Sequence, residues 1–438
     1  MLVFYRRPMK LESSEIATRS DGTQVMTFSI VLPKVIPSAL EFERESRRVV
    51  NECGLALMDH GLRSFDTEGE EIRTGGRTYT CKGRQTETYQ TSFGSRMIDR
   101  SVYQHSGGGK TWVPLEDRAR IVALATPHFA QLVSGTLADH NGREAQRIFA
   151  EHHQREISLN FIQHLTAETG RLALAKEKKW SYDLVTPPGE VCWIVMGTDG
   201  TCAPMCEGGW KQVMVGTITL CNKAGEPGET IYVANAPEDG KATFYERMRR
   251  EVAVVKKLYP KARWAGISDG ARDLRPFLEE HTEVLVLDFF HLTEYVNAAA
   301  KACYGETDKA AGWSADALHT LKHDAGGAHM VIDEFREWLD GPEAPALTKL
   351  ERATIQRAVG YMEANEDRMD YPAALASGYM IGSGVTEAAC KTVVKARVCG
   401  SGMRWYEASM QQILCLRALR KSTNRWEQFW QKIDRHGC

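Results

Sequence analysis

Three acids stand in settings from which a metal-dependent attack on a phosphodiester can be read. Asp199 ends an apolar run in Met196-Gly-Thr-Asp-Gly-Thr201, and Asp269 ends another in Gly266-Ile-Ser-Asp-Gly-Ala271. A carboxylate beside glycine just past such a run sits at the edge of a sheet. Glu387 closes Ile381-Gly-Ser-Gly-Val-Thr-Glu387, about one turn into a helix that Ser383 is placed to cap. Hard oxygen donors of this kind suit Mg2+, which takes one or two carboxylates per ion and keeps water and phosphate oxygens in its other positions. A pair of such ions about 4 Å apart activates the attacking oxygen and stabilises the leaving one. Three acids therefore suffice for two Mg2+ ions, with Mn2+ as a substitute. Each acid also has a plainer reading: Asp-Gly is the composition of an Asx turn, and Glu387 with Lys391 four residues on is an ordinary surface pair on a helix.

The surrounding pattern supplies elements to position these acids. Strands are expected at 191–196, 212–220 and 230–234, separated by turns rich in Gly, Asn and Pro, which is the pattern of an antiparallel meander. A helix over 242–258, stopped by Pro260, precedes a strand at 263–268, a helix at 274–280 and a strand at 283–287. That order is the one of a ribonuclease H-like α/β domain with a mixed sheet. There the first and fourth strands are parallel neighbours, so Asp199 and Asp269 are expected to meet although far apart in sequence. Residues 292–376 read as helical and interrupt this domain as an insertion before its last helix and a basic C-terminal helix, 377–438. Ahead of it, 1–110 reads as a small α+β region with strands at 24–32, 77–81 and 100–104 and a helix at 39–58. Residues 111–185 read as a helical module, either a helix-turn-helix DNA-binding unit or a plain bundle.

Composition sets the outer bounds. With 438 residues, 43% hydrophobic and 26% charged, the chain has apolar content for two or three cores. Its apolar runs are too short for a membrane span, and Met1-Leu-Val-Phe-Tyr-Arg-Arg lacks the charge order of a secretory signal. A cytoplasmic, nucleoid-associated protein is expected. Eleven cysteines contain no Cys-x-x-Cys, so free thiols are expected, with Cys81 alone and Cys202 and Cys206 short of a zinc set. The loop His105-Ser-Gly-Gly-Gly-Lys-Thr111 misses the first glycine of a phosphate-binding loop and reads as a linker. His319 and His323, four residues apart, read as a solvated helix face. The net charge of −2 does not advertise a polyanion partner, but residues 391–438 hold ten Lys and Arg against three acids. Within that excess, Lys391, Lys395, Arg397 and Arg404 are candidates to track a DNA backbone, or else a solvated helix face. Trp313 and Trp405 are candidates to stack on an unpaired base, or else core.

Several motifs in order carry a family resemblance. Gly209-Trp210-Lys211 with Val215-Gly216, Ser268-Asp-Gly-Ala271, Leu287-Asp-Phe-Phe-His291 with Glu294-Tyr295, the segment ending in Glu387, and Ser401-Gly-Met-Arg-Trp405 resemble bacterial insertion-sequence transposases of the ISKra group, relatives of the ISLre group. The resemblance spans roughly residues 75 to 435. It implies a DDE triad of Asp199, Asp269 and Glu387 that holds two Mg2+ ions, with double-stranded DNA (terminal inverted repeats and target) as partner and a homodimer or larger assembly on it. It also implies that Asp288 and His291, matching a [C/D]-x-x-H signature, support the rim of the site; the alternative is that Asp288 caps a helix and His291 packs against the sheet. The paired cysteines of a zinc ribbon, frequent in relatives, are missing around Cys81. A domesticated DNA-binding descendant and a ribonuclease H-like nuclease that cuts without joining remain the rival expectations.

Overall fold

The computed structural model describes residues 9–36, 38–187 and 189–438, with the side chain of Pro345 excepted. The segment 1–7, weighed above against a secretory signal, lies outside the described residues. The protein is a mixed α/β chain divided into two compact units, Met1–Ala175 with Glu427–Cys438, and Lys176–Trp426. Among the described residues no helix is long and apolar enough to cross a membrane.

The first unit opens with an antiparallel hairpin, β1 (Lys10–Thr18) and β2 (Gln24–Val31), followed by α1 (Ala39–Ser64). A four-stranded antiparallel sheet follows in chain order: β3 (Ile72–Thr74), β4 (Arg77–Gln90), β5 (Ser95–His105) and β6 (Thr111–Trp112). The strands expected at 77–81 and 100–104 are the base of one long hairpin that pairs from Tyr79 with His105 out to Gln90 with Ser95. The glycine-rich loop is the β5–β6 connection, with Gly108 at φ 85° and Gly109 at φ 102°, the left-handed backbone that glycine adopts without a Cβ penalty. Helices α2 (Pro114–Arg118), α3 (Pro127–Asp139), α4 (Gly142–His153) and α5 (Leu159–Lys176) complete the module. Residues 121–124, expected in a helix, form a turn instead. Val122 and Ala125 exchange both backbone hydrogen bonds at 2.9 Å, and Pro127 disfavours helix in the residue before it.

The second unit holds a five-stranded sheet in the order β11-β10-β7-β8-β9. Its members are β7 (Trp193–Pro204), β8 (Trp210–Cys221), β9 (Pro227–Asn235), then after α6 (Ala242–Leu258) β10 (Arg263–Ser268), and after α7 (Arg275–His281) β11 (Val284–Leu287). β7, β8 and β9 form an antiparallel meander, while β10 runs parallel to both β7 and β11. Helices α8 (Phe289–Tyr304), α9 (Asp308–His323), α10 (Gly327–Asp340), α11 (Lys349–Glu363) and α12 (Tyr371–Ala376) follow. Next come α13 (Gly384–Ala389), a π-helical turn (Cys390–Lys395), α14 (Ala396–Val398) and α15 (Glu407–Lys421). The last helix, α16 (Arg425–His436), begins in this unit and ends in the other.

Period-two alternation decides which face each layer covers. Ile194, Met196, Met214 and Ile218 point to the face covered by α6 and α7 through Phe244, Met248, Val252 and Phe277. Trp193, Val195, Ala265 and Ile267 point the other way and share one core with Leu292, Val296, Leu321, Val331 and Ile355. The helices from α8 to α12, expected as an insertion, thus have no separate core of their own. Further along that same face, Ala203, Val213 and Val215 pack against Ala389, Val393, Val394 and Met410 from the helices after Ser383. Between these two packed regions lies Gly197. Thr386 crosses it so closely that a Cβ there would overlap Thr386 Oγ1 and come within 3.0 Å of Thr217 Oγ1. The two threonine hydroxyls are hydrogen-bonded at 2.7 Å.

Gly197→Ala is expected to lower unfolding free energy by about 1–3 kcal/mol through overpacking, and adding Thr386→Ala to recover part of the loss. Denaturant unfolding of both variants checks this; a Gly197→Ala protein as stable as the parent would contradict the crossing.

Candidate active site

Asp199 does not lie past its strand. β7 continues to Pro204, and Asp199 pairs with Val215 of β8 in mid-strand. What ends here is the parallel neighbour: the last β10 pair is Ile267 with Gly197, so β7 runs on alone on that side. By alternation Asp199 shares the face of Gly197 and Ala203. There its Oδ2 accepts a hydrogen bond from the Cys390 thiol at 3.3 Å, one helical turn beyond Thr386. Thr386 and Cys390 therefore anchor the Glu387 helix across the strand.

Asp269 follows Ser268, the last residue of β10, and is half-buried like Asp199. Both acids make the local bond that glycine-flanked aspartates make: Gly200 N–H to Asp199 Oδ1 at 2.6 Å, Ala271 N–H to Asp269 Oδ1 at 3.2 Å. The turn reading is thus correct for each, and it leaves most of each carboxylate's accepting capacity free. The turn after Asp269 is held by α11 and the residues just beyond it. A Cβ on Gly270, at φ 30°, would meet the Tyr361 ring at 2.7 Å and Asn365 Nδ2 at 3.1 Å. Buried Arg368 reaches Ser268 Oγ at 3.4 Å.

Asp288 is buried at the start of α8. It is the helix cap, accepting from Phe290 N–H at 2.9 Å, and it also accepts from Ser383 Oγ at 2.5 Å. Ser383 makes no cap hydrogen bond to its own helix, contrary to expectation; its hydroxyl lies 2.5 Å from Asp288 and 3.2 Å from Glu387 Oε1. The single hydroxyl proton serves the nearer Asp288, with Glu387 beside the same oxygen, and Asp288 N–H is bonded to Ser268 O at 3.0 Å. His291 is half-buried, edge-on to Tyr295 at 5.6 Å and Tyr361 at 6.0 Å, and the two tyrosines stack at 4.0 Å.

Charge couples Asp199 to Asp269. Burial pushes the Asp199 carboxyl up from the ordinary range and the charge of Asp269 adds to the rise, while the Gly200 and Cys390 hydrogen bonds and His291 oppose it. Burial, then Asp199, pushes the Cys390 thiol up, so it stays a neutral donor; Glu387 acts in the same direction. Burial raises the Tyr361 phenol, with Tyr295 and Asp269 contributing. Among the described residues no group of three or more His, Cys, Asp or Glu forms a ready-made metal cage. The donor chemistry nevertheless fits hard divalent ions: two half-buried carboxylates that repel each other gain from a shared cation, and Mg2+ needs few protein ligands.

The expected DNA contacts divide. Lys391, Lys395 and Arg404 are exposed. Arg397 is buried, its guanidinium 5.0 Å over the Trp405 ring, and Trp405 donates to Val398 O at 2.9 Å. Trp405 thus follows its core reading rather than the stacking one, and Arg397, a candidate to track DNA, packs with it at the end of α14. Trp313 likewise packs on Phe335 at 4.7 Å and donates to Glu334 at 3.0 Å. The basic tail is also less free than its composition suggests, since Arg417 donates to the Thr392 and Val393 carbonyls and Arg425 pairs with Glu251 at 2.8 Å. Arg417 draws those carbonyls out of the α-helical ladder where the π turn sits. Lys391 and Lys395 lie within that turn. His319 and His323 are near neighbours, 4.6 Å between ring centroids. Among the described residues no disulfide joins the cysteines.

Sequence reasoning missed Ser383's bond to Asp288, Cys390, and the Tyr361, Asn365 and Arg368 support. Cys390 was findable: it lies four residues after Thr386, about 100° around the helix from the face of Glu387, Lys391 and Lys395. The α11 support had no signal, because nothing in sequence ties that segment to Asp269. No protein-family model matches the chain, and no curated protein matches it.

Because the folded protein holds Asp199 protonated to a higher pH than the unfolded chain does, its ionisation costs stability as pH rises through and above the ordinary value of 3.8. In metal-free buffer Asp199→Asn should therefore melt higher than the parent at pH 7, the gap closing as pH falls below 3.8. Paired melting curves across that range measure it, and a gap independent of pH would show that Asp199 carries no such penalty.

Proposed function

We propose that this chain is a metal-dependent DNA strand-transfer enzyme, a transposase of the DDE kind with Asp199, Asp269 and Glu387 as its acids. The observation that supports the reading is the parallel register of β7 and β10, which sets Asp199 two residues past Gly197 and Asp269 just past Ser268 on neighbouring strands, with the charge of Asp269 felt at Asp199 and the helix of Glu387 held on β7 through Thr386 and Cys390. The strand order β11-β10-β7-β8-β9, with helices on both faces, supports a ribonuclease H-like catalytic domain. The ordered motifs support kinship with insertion-sequence transposases of the ISKra group.

In this reading Asp199 and Asp269 would hold divalent ions, Mg2+ or Mn2+, with Glu387 as third ligand. When bound, such ions lower the pKa of the attacking water and neutralise charge on the leaving oxygen. The chain's own residues hold the acids in place. Ser383 donates to Asp288 beside Glu387, Cys390 orients Asp199, and Tyr361, Asn365 and Arg368 hold the Asp269 turn. Exposed Lys391 and Lys395 follow Glu387 on the same helical stretch, where phosphates would pass. The helices α3, α4 and α5 would read element ends, and two ends joined in one reaction call for at least two subunits.

The test is Mg2+-dependent cleavage and joining of DNA that carries the sequences flanking the gene. Asp199→Asn and Asp269→Asn are each expected to lower cleavage by at least about a hundredfold, the scale of losing electrostatic stabilisation at a reacting group, while end binding persists. Full cleavage by both variants would overturn the assignment, and cleavage without joined products would make the enzyme a nuclease.

A further inference from the structure

The strand that carries Asp199 continues as an arm whose opposite face is left open. Along it Cys202, Pro204, Trp210 and Gln212 alternate outward, while Ala203, Met205 and Val213 are buried on the inner face. Pro204 pairs with Trp210 on one side. On the other side Met205 bridges Trp405 in parallel, with Trp405 N–H to Pro204 O at 3.2 Å and Cys206 N–H to Trp405 O at 2.8 Å. Bridge partners share a face, so Trp405 turns inward with Met205, and its neighbour Tyr406 turns outward with Pro204 and Trp210. Trp210 and Tyr406 are 65% and 64% exposed, among the most open large side chains of this unit. The backbone ladder beneath them holds both in register.

A cation without a carboxylate partner lies beside these rings. Arg404 is exposed two residues before Tyr406, and among the described residues no carboxylate pairs with it. Glu407 is engaged by Lys211 at 3.0 Å, and Glu207 lies in the turn at the end of the arm. The outward residues named here are otherwise uncharged. Trp210 pairs level with Pro204 and Tyr406 lies level with Cys206, so the two are separated by two inter-strand spacings and two residues along the strand, roughly 12 Å, more than three times the 3.4 Å rise of stacked bases in a duplex. Rings set that far apart, with an arginine beside them, suit splayed, unpaired bases.

We propose that Trp210, Tyr406 and Arg404 form a stacking platform for single-stranded DNA on the face of the arm away from Asp199. The stacking role expected of Trp405 and Trp313 passes to Trp210 and Tyr406. The proposal rests on the nucleic-acid reading above but not on its catalytic part. The probe is a fluorescein-labelled 20-mer oligothymidylate, with a labelled 20-base-pair duplex as comparison, titrated with the full chain and read by anisotropy. Trp210→Ala/Tyr406→Ala should weaken oligothymidylate binding by at least about tenfold, as expected for lost base stacks. Duplex binding should change far less, and Trp210→Phe/Tyr406→Phe should restore most of the single-strand affinity. Unchanged oligothymidylate binding, equal losses on both probes, or loss of a dimer on size exclusion with both affinities kept would each overturn it, the last by making the face a protein contact. Cleavage assays on the same variants keep the outcomes apart: a platform that fails while Mg2+-dependent cleavage persists leaves the catalytic reading standing.

Discussion

Everything at the candidate site depends on how closely one helix passes over one strand. At Gly197 the absence of a side chain lets Thr386 settle onto β7 and share a hydrogen bond with Thr217. That contact fixes α13, and the residues that follow Thr386 along the helix inherit their positions: Glu387 toward Ser383, Cys390 onto Asp199. A glycine in a strand is ordinarily a weakness, giving up side-chain packing and conformational entropy. Here close backbone approach offsets the loss, and three segments far apart in sequence converge on one patch of sheet.

Much of that patch was legible in advance and some was not, for identifiable reasons. The meander, the α6 boundaries and the β10 limits follow from alternation and from turn and stop residues, which act locally. The placement of Asp199 was misread because Gly200 looked like the end of a strand. In fact the apolar run ends where the parallel partner ends, and β7 continues as an arm paired with β8 and met at its tip by Trp405. Arg397 and Trp405 were read by composition as DNA contacts, whereas their mutual stacking is a tertiary event that no window of sequence contains. For the helices after β11, periodicity reveals one apolar stripe without saying what covers it. Their stripe meets Trp193, Val195 and Ile267.

The polar network is built so that each acid has a different neighbour holding it. Cys390, a neutral thiol, can donate to Asp199 without cancelling its charge, as an arginine would. Ser383 donates in the same way to Asp288, with Glu387 beside the hydroxyl. Arginine appears only one step back, where Arg368 supports Ser268 rather than touching the acids. The cluster thus keeps negative charge available at the cost of a strained protonation equilibrium at Asp199, which is the electrostatic condition a bound cation relieves.

That relief can be measured without DNA or catalysis. Titration of Mn2+ into the purified full-length protein, followed by electron paramagnetic resonance of the free ion, should show saturable binding. The binding should be largely lost in both Asp199→Asn and Asp269→Asn. Saturable binding that survives both substitutions, or none in the parent, would contradict the claim that these two carboxylates form one cation site.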